Sequence, residues 1–130
     1  MSDELSPGGY DYLFTTTDCI GEKVALKRNT FSEKILLDHT EITPDLIKEG
    51  VEKAHLVKED KNKDGRRNYF RMIPHPVEGR DDFTNIKVVV EETNYEYDEV
   101  VTCYIRSNLK GETTKGEIIH DAGSASENSL

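Results

Sequence analysis

The chain has 130 residues, with 17 Lys+Arg against 26 Asp+Glu for a net charge of −9, and 35% hydrophobic and 33% charged residues. That length suits one domain with a modest core. The acidity counts against a sequence-blind nucleic-acid coat, and no apolar run approaches the roughly 20 residues that span a bilayer. With no basic-then-apolar leader and only two widely spaced cysteines, Cys19 and Cys103, the sequence reads as a cytoplasmic protein with reduced thiols and no membrane contact.

Residues 1–9 and 122–130 are poor in apolar side chains and read as a flexible N-terminus and a disordered tail, leaving 10–121 as a single α+β domain. Segments 10–17 and 22–28, rich in aromatic residues and Thr or alternating in polarity, flank Ile20-Gly21 and predict a hairpin. Thr30-Phe31-Ser32-Glu33 fits a capping box and predicts a helix through about Thr40, with Phe31, Ile35, Leu36 and His39 at helical spacing. A second helix over about 44–57 is signalled by Thr43 as cap, Pro44 at the first position, Asp45 in the first turn and an Ile42–Ile47 staple, with Gly50 weakening it slightly.

Next comes a basic run, Lys58, Lys61, Lys63, Arg66, Arg67 and Arg71, in a stretch that Asn62 and Gly65 mark as a loop. Residues 61–90, with seven bases and four acids, are the only net-basic quarter of the chain. Within this loop Asp60 to Gly65 matches the opening of a calcium-binding loop, but Arg67 and Arg71 stand where an apolar residue and a bidentate Glu belong, so the segment reads as a turn and no metal is expected. Strand signals follow at 68–73, 85–92 and 99–106, linked shortly enough for an antiparallel meander. The expected fold is therefore α+β: two helices from the N-terminal half packed on an antiparallel sheet of about four strands, preceded by a short hairpin.

Period-two alternation on the last strand groups Thr102, Tyr104 and Arg106 with Val100, opposite Val101, Cys103 and Ile105. Hydroxyl, phenol and guanidinium in one row suit an anion better than a core. Arg71 can join them with its planar fork, in competition with an ion pair to an acid such as Glu91.

The run Lys34 to His39, the Pro-containing helix start, Arg67-Asn68-Tyr69-Phe70-Arg71, Lys87-Val88-Val89-Val90-Glu91 and Val100 to Ile105 together resemble the metal-independent ribonuclease-like domains of the barnase, EndoU, colicin D and RelE group, over about residues 12–110. The resemblance implies two helices on a four-stranded antiparallel sheet, and RNA-cleaving toxins or effectors of phages and mobile elements. It makes His39 the general acid/base and Thr102 and Tyr104 the polar pair that holds substrate, with cleavage by a ribose 2′-hydroxyl and no cofactor. Arg71 then steadies the phosphate, while Lys34, Arg66, Arg67, Tyr69 and Arg106 contact RNA, Tyr69 or Tyr104 by stacking on a base. Such nucleases are usually basic, and here Asp38 and Glu41 flank His39. The alternative is a noncatalytic acidic interaction module, immunity-like or anti-host, whose acidic surface imitates nucleic acid or engages a basic protein partner; RNA, a cognate inhibitor and a basic protein are the partners expected across the two readings. Convergence of His39, Arg71, Thr102 and Tyr104 in one cleft separates the two.

Overall fold

The computed structural model describes residues 11–37, 39–60, 62–106 and 118–121, the last by backbone alone, so the tails expected at 1–9 and 122–130 lie outside the described residues. Among these residues seven strands form one mixed sheet: β1 (Tyr12–Thr17), β2 (Lys23–Lys27), β3 (Leu56–Glu59), β4 (Arg66–Pro74), β5 (Phe83–Glu91), β6 (Asp98–Arg106) and β7 (Ile118–Asp121), in the spatial order β1-β2-β6-β5-β4-β3-β7. All neighbours are antiparallel except β2 and β6, which run parallel and meet only at Val24–Asp98 and Ala25–Glu99.

This corrects the expected fold, including the one implied by the family resemblance. The hairpin does not precede the sheet but extends it, because β2 docks on the start of β6. Strands β3 and β7 add two further positions beyond β4. Beyond Glu99 the outer edge of β6 has no strand neighbour among the described residues, and the helical segment after β2 packs beside it instead, shielding unpaired backbone groups.

That segment is shorter than the capping box predicts. A single helical turn, α1 (Arg28–Thr30), follows β2 directly and widens into a π-helical turn over Phe31–Ile35, with Leu36 N–H donating to Phe31 O at 2.8 Å. Thr30 is already helical, at φ −60 and ψ −44, so its hydroxyl caps nothing. Leaving β2 with no intervening loop, the chain starts its helix before the cap residue is reached. Only Ile35 of this turn is buried.

The second helix, α2 (Pro44–Glu52), starts as predicted: Thr43 Oγ1 accepts from Leu46 N–H at 3.2 Å, with Pro44 and Asp45 in the first turn. It stops well short of 57. Lys53 leaves the helical region at φ −126, ψ 32, and Leu56–Glu59 becomes β3, where alternation buries Val57 against the core. Ile47, Gly50 and Val51 face the sheet. Gly50 sits so close to β5 that an added Cβ would lie 3.0 Å from Val88 Cγ2, so the glycine that weakens the helix locally is what lets it approach.

The core lies between α2, the π-turn and one sheet face, where Leu26, Val57, Tyr69, Ile73, Ile86, Val88, Val90 and Cys103 meet Ile35, Ile42, Ile47 and Val51. A bulge between Val89 and Val90, opposite Thr102 and Val100, changes the alternation of β6. Val100 is thereby turned into the core with Cys103, against the expectation that it shares a face with Thr102.

Candidate functional site

The four residues expected to converge do not. Tyr104 pairs across the sheet with Lys87 and Thr102 with Val89, which places both on the face away from α2. Arg71 pairs with Ile86, on the α2 face, and its Nη1 is held by Glu49 Oε1 of that helix at 2.6 Å. It is an ion-paired arginine, as the competing reading had it, but its partner is on α2 rather than Glu91. That hydrogen bond, foremost, lowers the Glu49 carboxyl below its usual range.

His39 follows the π-turn, anchored by its N–H to Ile35 O at 2.8 Å and by its carbonyl to Ile42 N–H at 3.1 Å. Its ring reaches round the open edge of β6 and stacks on Tyr104, with centroids 6.2 Å apart and planes 26° apart. Glu41 Oε2 lies 3.7 Å from its Nδ1, an ion pair when the imidazole is protonated. Lys87 Nζ sits over the other rings of this row, 5.3 Å from Tyr104 and 5.7 Å from Phe70, but both Lys87 and Phe70 are buried. Thus His39, Tyr104 and Thr102 share a corner, and Lys87, which the sequence reading missed, brings its ammonium to the Tyr104 ring there.

Of the residues expected to contact RNA, Tyr69 is fully buried and closed to a stacking base, because odd positions of β4 face α2. Its hydroxyl donates to Asp18 Oδ2 and accepts from Arg67 Nε at 2.9 Å. Burial first, and then the bond to Asp18, pushes its phenol well above the usual range. Arg67, also buried, pairs through Nη1 with Asp98 at 3.0 Å and lies 3.8 Å from Asp18 through Nη2. Arg66 lies 3.8 Å from Glu91. Lys34 is exposed on the π-turn, and Arg106 ends β6 opposite Asn85.

A cavity of about 480 Å³ lies at the end of the sheet where three connections meet, and Arg67 of the Asp18–Tyr69–Arg67–Asp98 cluster is part of its lining. Ile20 and Glu22 come from the β1–β2 turn, where the Asp18 carboxylate accepts from Ile20 N–H at 3.0 Å and Glu22 N–H at 2.7 Å. Glu59, Asp60 and the run Lys63 to Arg67 come from the β3–β4 hairpin. There Asp60 Oδ1 accepts from Asn62 and Lys63 N–H at 2.8 and 3.2 Å, and Gly65 takes φ +82, so the calcium-loop-like sequence is a turn closed by its own first residue. Glu92 follows β5 and donates its N–H to Gly65 O at 2.7 Å, locking the second turn to the third.

Five acids and three bases line this cavity. The bases are already engaged, Lys63 and Arg66 with Glu91 and Arg67 with Asp18 and Asp98. Glu22, Glu59, Asp64 and Glu92 make no side-chain ion pair or hydrogen bond among the described residues. Sequence reasoning saw a basic loop here. It missed the site because the acids opposite those bases come from three separate parts of the chain.

Among the described residues no helix is long and apolar enough to cross a membrane, and no three His, Cys, Asp or Glu side chains are grouped to hold a metal ion. No protein-family model matches the chain, and comparison with curated proteins and with solved structures gives no significant match.

Proposed function

We propose that this protein is a noncatalytic interaction domain that engages a basic protein partner through the acidic end of its sheet, the role of an immunity-like or anti-host protein. The observation that carries this reading is the set of four carboxylates, Glu22, Glu59, Asp64 and Glu92, that line one cavity and have no ion pair or side-chain hydrogen bond among the described residues, while the described bases of that cavity are already paired with acids. Unsatisfied charge of one sign in a concave site raises the local concentration of an opposite charge and speeds its encounter.

A lysine- and arginine-rich polypeptide titrated against the protein tests it by fluorescence anisotropy. Binding is expected to weaken steeply between low and physiological salt, as exposed charges are screened over about 8–10 Å, and to survive His39→Ala. No binding at low salt overturns the reading.

A metal-independent ribonuclease is the second reading, favoured by the stacking of His39 on Tyr104 with Thr102 on the same sheet face. It lacks Arg71, which is bound to Glu49 on the opposite face, and Lys87, whose ammonium lies over the Tyr104 ring, is buried. Cleavage of RNA that resists chelator, leaves cyclic phosphate ends and is lost in His39→Ala would establish it in place of the first.

A further inference from the structure

The last strand of an open sheet presents main-chain N–H and C=O groups on its outer side, a template on which another strand can form. Elsewhere in this sheet such edges are blunted. The open stretch of β6 has the π-turn over Phe31–Ile35 packed beside it, and β7, at one end of the strand order, is only four residues long and carries Asp121. At the other end lies β1, which pairs with β2 on its inner side and with no described strand on its outer side.

The sequence of β1, Tyr-Leu-Phe-Thr-Thr-Thr, contains no proline and no charge, and it is the only described strand without a charged residue in a chain that is 33% charged. Natural edge strands are protected from pairing by lysine, proline or a bulge. Only the bulge is present here. It falls between Tyr12 and Phe14, at the start of the strand, and leaves Phe14 to Thr17 in unbroken register with Leu26 to Lys23. Thr16 faces α2, where its hydroxyl donates to Glu52, so Thr15 and Thr17 lie on the other face, and both are exposed. The acids that flank the strand are already engaged, Asp11 with Arg28 at 2.7 Å and Asp18 in the buried cluster.

We propose that β1 is the seam of a weak homodimer, in which β1 of one copy pairs antiparallel with β1 of a second copy and the two sheets become one. An antiparallel edge is complementary to itself about a two-fold axis perpendicular to the sheet. That axis puts both α2 helices on one face and matches residues of like parity, so Thr15 meets Thr15 or Thr17 of the second copy, and Thr–Thr is a favourable cross-strand pair. Charge selects this occupant. A chain at −9 is repelled by its own copy, so two copies associate where no like charges face each other, and β1 is the strand that offers this. A basic foreign segment would find no acid along β1 to pair with. Six residues make a small seam, which places the dimer among transient interfaces. The antiparallel arrangement also sends the two β1–β2 turns, and the acidic cavities they help to line, in opposite directions.

Sedimentation equilibrium of the full chain from about 10 μM to about 1 mM, at low and at physiological salt, is the test. A dimer is expected within that range, and it is expected to tighten as salt rises, because screening relieves the repulsion between two acidic copies. Thr15→Lys with Thr17→Lys is expected to weaken it at least about tenfold, with the thermal midpoint of the dilute protein unchanged. The two lysines also reduce the net negative charge of each copy, which by itself favours association, so a weakening reports the seam. Hydrogen exchange is expected to slow at the amides of β1 as concentration rises and to stay constant in β5. A chain still monomeric at about 1 mM, a dimer that loosens with salt, or a dimer untouched by the lysine pair overturns the proposal. So does protection of the β1 amides that is independent of concentration, which would mean that the chain's own residues cover this edge.

Discussion

Asp98, at the start of β6, neutralises the buried guanidinium of Arg67, whereas Tyr104, near the end of the same strand, stacks on the partly exposed imidazole of His39. The first region is a closed cluster of acid, phenol and guanidinium beside a cavity lined by acids that have no partner among the described residues. The second is an open corner with one titratable ring, one hydroxyl row and a buried lysine. The net charge of −9 is fixed by composition, and the contrast concerns only where its charges are paired. Arg67, Arg71 and Arg66 are drawn inward or sideways to acids at 3.0, 2.6 and 3.8 Å, so these three of the seven bases of residues 61–90 are paired.

Arg67→Met tests the closed cluster most severely. It leaves Asp18 and Asp98 without their cation, and breaking a buried pair in this way is expected to cost about 3–5 kcal/mol, read from the urea midpoint. His39→Ala, at a side chain 31% exposed, is expected to stay within about 0.5 kcal/mol. Comparable losses for both would dissolve the distinction between the two regions.

Glu49→Gln asks how far Arg71 belongs to α2. Because the folded-state carboxyl is held below its unfolded value by Arg71, its contribution to stability is present above the unfolded value and is lost as pH falls through the lowered one. The wild type is therefore expected to lose midpoint more steeply than Glu49→Gln as pH drops from 6 to 3. Parallel curves would show that the pair adds nothing, a frequent result for exposed pairs.

The smallest effect concerns Cys103, beneath the His39 corner. Burial first, and then Glu41, pushes its thiol well above the usual range. Iodoacetamide at pH 8 is expected to modify the half-buried Cys19 before Cys103, which reacts only on unfolding. Early labelling of Cys103 would mean that the corner opens readily.

Local signals carried the elements whose cause is local. Thr43, Pro44 and Asp45 start α2, Ile20-Gly21 turns the first hairpin, and β4, β5 and β6 fall where β-branched and aromatic runs stand. The capping box at Thr30 misled because the chain is already helical when it reaches Thr30 from β2. Val57 fits a helix stripe as well as a strand, so the end of α2 and the start of β3 were not separable by periodicity.

What the sequence determined by itself was an acidic chain with a modest core, one strongly signalled helix and a set of strands. Tertiary structure decided how those strands pair, and with that which face each arginine takes. A one-residue bulge is enough to move Val100 into the core, and one strand's parity puts Arg71 beside Glu49 and away from Tyr104. The acidic cavity was likewise invisible in one dimension: Glu22, Asp64 and Glu92 lie far apart in sequence, and only the meeting of three turns makes them neighbours.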